Sequence, residues 1–261
     1  MTSWIFLRGL SRERRHWGEF IASFQAEVSG AEVVALDLPG NGSRNQFPSF
    51  TRVGDMVGWC RRELAARGFR PPHYLLGMSL GAMVAAEWAS VHPEDIRGCV
   101  LINASLRPYS RFYQRLRPAN YSALFKLAVL GGSDDEWEST ILRITSNSKS
   151  TAKILPSWIA WRREHPVTRV NALRQLLAAW RYRAPAKPPM PPLLVLASAR
   201  DALVDVQCSQ DIATRWQARY AEHPAAGHDL PLDDGDWVAK QVSAWLGTRK
   251  AQSTLAGPAG D

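Results

Sequence analysis

Gly77-Met78-Ser79-Leu80-Gly81 is the stretch of this 261-residue chain best suited to chemistry. The apolar run Tyr74-Leu75-Leu76 leads into it, and the helix-forming run from Ala82 to Ala89 leads out. A serine at such a strand-to-helix corner sits on a tight turn with its hydroxyl exposed. Glycines two residues to either side remove the Cβ atoms that would collide there. A helix beginning at Leu80 also aims its first N–H groups at any anion forming beside Ser79. Five small residues can make an ordinary βα turn, but the strand before and the helix after favour a nucleophile.

A serine nucleophile needs a base, and the base needs an orienting acid. Of six histidines (16, 73, 92, 165, 223 and 228), His228 is best placed. Its tripeptide Gly227-His228-Asp229 falls in a loop between the last strand pattern and the last helix. His223 competes, although it ends a strand and precedes Pro224. The acid is expected at Asp201, just past the apolar run 193–197, because catalytic groups collect at the carboxyl ends of parallel strands. Asp205 is the runner-up, and either can instead cap the following helix. The oxyanion needs two backbone donors. Leu80 N–H supplies one, and Leu10 N–H, in the loop Arg8-Gly9-Leu10, is chosen for the other. Trp17 is expected to pack beneath that loop.

These loops require alternating strands and helices. Trp4–Leu7, Val33–Leu36, Tyr74–Met78, Cys99–Asn103 and Leu193–Ala197 read as short buried strands, with a weaker one near Arg219–His223. Ser11 is placed to cap a helix through Trp17, Phe20, Ile21 and Phe24. Further helices are expected over Val53–Ala66, Leu80–Ser90, Gln210–Trp216 and Asp236–Leu246. This is an α/β pattern: a mostly parallel central sheet with helices on both faces. It breaks at Leu106, where helical runs rich in aromatics replace strands. The clearest places Val170, Leu173, Leu177 and Trp180 on one face. Five prolines between Pro185 and Pro192 make a stiff return. Residues 1–105 and 190–247 are thus read as the core, 106–189 as an inserted helical cap, and 248–261 as a disordered tail.

Composition is that of a globular protein, with 46% hydrophobic and 21% charged residues. No apolar run approaches the ~20 residues needed to span a bilayer, so stable membrane insertion is not expected. The first ten residues hold a short apolar run without a basic leader, and no signal peptide is expected. Cys60, Cys99 and Cys208 lie far apart, which favours free thiols in a reducing cytoplasm. The net charge of +8 is unevenly placed: residues 106–190 hold fifteen Lys and Arg against five Asp and Glu. That charge reads either as a solvated surface or as the seat of an acidic partner. Membrane-surface docking by a cap helix is set against the acidic stretch Asp134–Glu138. No nucleic-acid motif accompanies the charge, no histidine spacing suits a metal, and no glycine pattern suits a nucleotide.

Taken with Asp37-Leu38-Pro39-Gly40-Asn41-Gly42, these motifs resemble the α/β-hydrolase superfamily, in its small capped esterase-like branch. The resemblance covers nearly the whole chain. It implies an α/β-hydrolase fold lacking the usual antiparallel N-terminal strands, a helical cap, and a cofactor-free acyl transfer through Ser79, Asp201 and His228. It is weakly similar to the pimeloyl-carrier-protein methyl ester esterases. That implies a carboxylic ester or thioester substrate, with an acidic carrier protein at the cap as a candidate partner. Arg8, Met78, Trp158 and Trp161 are the candidate substrate contacts. Many relatives carry His-Gly where this chain has Arg8-Gly9. A lyase using the same triad, and a non-catalytic receptor on this fold, remain alternatives. Monomer and dimer are left open.

Overall fold

The computed structural model describes residues 2–127, 131–148 and 151–255. Six strands form one sheet: β1 (Thr2–Leu7), β2 (Ala31–Leu36), β3 (His73–Met78), β4 (Ile96–Ile102), β5 (Leu193–Ser198) and β6 (Arg219–His223). Their order is β2-β1-β3-β4-β5-β6, and every pairing is parallel. Side chains alternate between the faces of a strand, so each strand feeds two cores. Ile5, Leu7, Leu75, Leu101 and Val195 face α2 (Val53–Ala66) and α3 (Leu80–Val91) in one cluster. Trp4, Phe6, Leu76, Val100 and Leu196 face α1 (Phe20–Glu27) and a last long helix in the other. Burial on both faces accounts for strands that read as continuous apolar runs.

Between β4 and β5 run α4 (Phe112–Arg115), α5 (Tyr121–Phe125), α6 (Asp134–Thr145), α7 (Thr151–Glu164) and α8 (Arg169–Arg181). That segment has no strand among the described residues. Ser133 caps α6 reciprocally with Glu136, and Thr168 accepts from Asn171 N at the start of α8. After β5 come α9 (Gln207–Trp216) and α10 (Leu230–Leu255), the latter kinked at Asp234.

Two expectations need correction. Ser11 does not cap a helix: it has φ 56° and its N–H donates to Gln175 Oε1 at 2.8 Å. The segment winds as a short 3-10 turn over Arg14–Trp17, and Gly18 at φ 52° interrupts it before α1 begins. The chain past 247 is helical as far as Leu255, while 256–261 lie outside the described residues. Arg249 donates to Arg97 O at 3.1 Å and lies over the Trp245 ring, which holds this added turn on the sheet.

The 3-10 turn is one place where the helices between β4 and β5 meet the core. Arg12 pairs with Glu138 of α6 at 2.6 Å and lies over the Trp158 ring of α7. His16 is buried against the same ring and faces Arg12 through Nε2 at 3.1 Å. Burial, then the Arg12 and Arg8 charges, hold its pKa well below the ordinary histidine value. Both folded and unfolded chains carry a neutral His16 above about pH 6.5. Below that, the unfolded chain takes up a proton that the folded chain refuses, so stability falls with pH until the folded value is reached. Melting temperature should therefore drop between pH 7 and pH 5. His16→Gln should flatten that drop, as calorimetry across the range will read.

Candidate active site

Ser79 sits between β3 and α3 with φ 55° and ψ −115°, in the left-handed half of backbone space. A non-glycine residue held there costs about 1–3 kcal/mol and must be over-determined by its surroundings. Its N–H donates to Ile102 O at 3.0 Å, and its carbonyl accepts from Ala82 and Met83 in the first turn of α3. The flanking glycines have no room for a side chain. A Cβ on Gly81 would lie 2.0 Å from Leu7 O, and one on Gly77 would lie 2.4 Å from Gly81 O.

Gly9 closes over the serine: a Cβ there would come within 3.3 Å of Ser79 Cβ. Gly9 therefore lies against the serine, with that Cβ position 3.8 Å from Ser79 Oγ. Neither Leu10 N–H nor Leu80 N–H donates to a protein acceptor among the described residues. Trp17 packs under this loop as expected, 4.7 Å from the Arg8 guanidinium and 5.0 Å from the Phe6 ring.

His228 and Asp201 are brought together. The His228 Nδ1–H donates to Asp201 Oδ2 at 2.7 Å, and both residues are buried. The other oxygen of Asp201 accepts from Leu203 N and Val204 N, each at 2.8 Å. The carboxylate is thus fixed by three donors. Asp205 instead accepts from Gln207 N at the start of α9, and His223 bonds Asp234, so neither runner-up joins this pair. No hydrogen bond joins Ser79 Oγ to His228 among the described residues; catalytic hydrogen bonds in unliganded sites are often long.

Residues not singled out from sequence hold these loops in register. Asn103 ends β4 with φ 46°, and its Nδ2 donates to His228 O at 2.7 Å while its Oδ1 accepts from Ser198 N at 2.9 Å. One amide thus joins the ends of β4 and β5 to the histidine loop. Asp229 N–H donates to Thr145 O at the end of α6, at 2.7 Å. Its carboxylate takes both arms of Arg8, at 3.0 and 2.6 Å, with both side chains almost fully buried. Opposite charges beside Gly9 and beside His228 were the available signal for this pair.

The four suggested substrate contacts are occupied as follows. The Arg8 head is spent on Asp229, Trp17 and the Met78 sulfur, and the residue is only 2% exposed. Met78 is buried beneath the elbow in the core cluster around Phe6. Trp158 is 1% exposed, closed between Arg12 and His16, and has no face to offer. Trp161 meets His16 and Arg15 rather than the serine loop. All three cysteines are free and buried. Burial raises their pKa values, to about 11 for Cys208, so no thiol is poised as a nucleophile. Among the described residues no group of His, Cys, Asp or Glu is arranged to hold a metal, and no helix is long and apolar enough to cross a membrane.

A sequence model of the alpha/beta hydrolase family matches residues 4–241. The chain belongs to that family. It is 32% identical over 92 residues to the pimeloyl-[acyl-carrier protein] methyl ester esterase of Chromobacterium violaceum, covering 35% of this chain and 34% of that protein. It is 33% identical over 99 residues to the biotin biosynthesis bifunctional protein BioHC of Teredinibacter turnerae, covering 38% and 16%. The matched stretches thus span about a third or less of these relatives. Among solved structures, the enol-lactonase of Burkholderia xenovorans superposes with a TM-score of 0.76 at 16% identity, covering 94% of this chain and 91% of that one. A thermophilic esterase from Thermogutta terrifontis gives 0.72 at 19% identity, covering 95% and 79%. These similarities make the fold that of a six-strand α/β hydrolase with esterases and other hydrolases as relatives.

The Arg8–Asp229 pair can be tested apart from activity. Removing one partner of a buried ion pair strands the other charge and costs about 3–5 kcal/mol. Arg8→Met should lose that much stability in urea titration. Pairing it with Asp229→Leu should recover a large part, because no buried charge is then left unpaired.

Proposed function

We propose that the protein is a serine hydrolase that cleaves a carboxylic ester or thioester through an acyl-enzyme on Ser79. The observations that carry this reading are the serine on its strained elbow with Gly9 closed over it and the His228–Asp201 pair already bonded. In this reading His228 Nε2 takes the Ser79 proton as Oγ attacks the carbonyl carbon. The carbonyl oxygen becomes an oxyanion held by Leu80 N–H and Leu10 N–H. His228 returns the proton to the leaving alcohol or thiol as the bond breaks. Water then attacks the acyl-enzyme, His228 accepting its proton, and the acid product leaves with Ser79 restored. Asp201 keeps Nδ1 protonated and stabilises the imidazolium throughout. The cycle is complete without a cofactor.

The name of the Chromobacterium relative supports an acyl chain on a carrier protein as one substrate class, and the positive charge of residues 106–190 suits such an acidic partner. Small-molecule esters are the other. Three buried free thiols are compatible with a reducing compartment, and we place the protein in the cytoplasm.

Hydrolysis of p-nitrophenyl esters from C2 to C12 and labelling by a fluorophosphonate test the mechanism together. Wild type should turn over a subset of chain lengths and label once per chain. Ser79→Ala should abolish labelling, and Ser79→Ala or His228→Ala should lower kcat by about 10³-fold or more. Asp201→Asn should lower kcat far more than it changes KM, because it acts through the orientation of His228. Folded wild type that neither labels nor hydrolyses any ester would overturn the reading.

A further inference from the structure

Helix α8 turns small and polar residues inward and leaves its large apolar ones outside. Asn171, Ala172, Gln175 and Ala178 are buried; Asn171 accepts from Ser49 N at 2.8 Å, and Gln175 donates to Asn41 Oδ1 and Ser49 Oγ at 2.8 and 2.9 Å. Gln175 Oε1 also accepts from Ser11 N, and Arg174 Nε donates to Ser49 O. These bonds fix the rotation of the helix about its axis, since any turn would strip buried amides of their partners. The face left outward is the apolar one. Val170 is 64% exposed, Leu173 54%, Leu176 45%, Leu177 37% and Trp180 59%. Five exposed large apolar residues between Val170 and Trp180 of this 13-residue helix form a ridge about 15 Å long. Arg107 extends its end: it donates to Trp180 O and lies 5.4 Å over the Trp180 ring. Arg115 donates to Ala179 O, which brings α4 and the exposed Phe112 to the same end.

We propose that this face of α8 docks the protein onto an anionic lipid surface. Contiguous exposed apolar patches of this kind mark interaction sites. Charge selects among the occupants. Residues 106–190 carry fifteen cationic side chains against five acidic ones, and Arg181 and Arg183 lie exposed beside the ridge. A second copy would bring like charge against like charge. Asp134 pairs with Arg162, Asp135 with Arg163 and Glu138 with Arg12, and with every acid counted residues 106–190 keep a net charge of fifteen minus five, +10. A convex line of leucines ending in tryptophan, flanked by arginines, matches an interfacial helix that buries its apolar face at the headgroup boundary. A fluid lipid surface moulds to such a ridge, whereas a folded partner needs a complementary groove and about 800 Å² a side.

Flotation with vesicles of phosphatidylcholine alone, or containing 30% phosphatidylglycerol, tests this with full-length protein at 0.15 M salt. Wild type should float with the anionic vesicles and be released at 0.5 M salt. The triple variant L173S/L177S/W180S should bind about ten-fold or more weakly, and R181E/R183E should lose the preference for anionic lipid. All five side chains are exposed, so both variants should fold, as circular dichroism and melting will show; W180S alone serves the same readout. Absence of wild-type flotation, or flotation unchanged in the triple variant, overturns the proposal. So does a wild-type dimer that the triple variant converts to monomer, which would assign the ridge to a second copy. Capture of an acidic acyl carrier protein in preference to vesicles, lost in the triple variant, would assign it to a protein partner.

Discussion

The top of this molecule depends on one crowded crossing, where the chain turns from β3 into α3 against the end of β1. The Leu7 carbonyl lies so close to Gly81 that no side chain fits between them, and Gly77 is shut in by the same helix turn. Ser79 must then take a left-handed backbone to send the chain from strand to helix, and its N–H is pinned to Ile102 O on the neighbouring strand. Strain at a single residue persists only where the surroundings supply no relaxed alternative. Here the parallel sheet on one side and the helix on the other supply none. The hydroxyl is consequently presented at a fixed point, and the loops after β1, β4 and β5 converge with the His228 loop at the same end of the sheet.

Convergence is achieved by polar groups buried between loops rather than by further apolar packing. Asn103 bridges β4, β5 and the His228 loop; Asp201 is held by three donors; Arg8 joins the loop under Leu10 to the residue after His228. Buried polar groups are costly without partners, so the pairs made here favour one geometry, although Arg8 Nε itself has no hydrogen-bond partner among the described residues. A guanidinium reaches both carboxylate oxygens and an indole face at once, which a smaller side chain would not. The Arg8–Asp229 pair makes the loop after β1 and the loop that carries His228 mechanically one unit.

Much of this was legible in the sequence, for identifiable reasons. Strands buried on both faces leave short apolar runs that periodicity finds, and α2 runs over Val53–Ala66 as its pattern indicates. The glycines around Ser79, the position of Asp201 just past β5 and that of His228 ahead of α10 follow from loop chemistry and chain order. What was not legible is pairing. The sequence shows Arg8 and Trp158 as residue types suited to a substrate, but not that Asp229 and Arg12 reach them first. Asn103 reads as the end of a strand, because nothing local reveals the three loops it joins.

Helix α8 shows the same limit in its sharpest form. A period of 3.6 residues reveals that one face of a helix differs from the other, and the usual reading puts the apolar face inside. The direction is decided by what the neighbouring surface offers. Around α8 that surface is loop backbone from Asn41 to Ser49, rich in carbonyls and N–H groups that need partners once covered. Asn171, Arg174 and Gln175 supply those partners, whereas leucines in their place would leave several buried groups unpaired, each at about 1–3 kcal/mol. Five apolar side chains left outward are as wet in the unfolded chain, so their exposure costs folding little, whereas orphaning that loop costs it directly. The direction in which α8 faces is therefore set by the loop it covers.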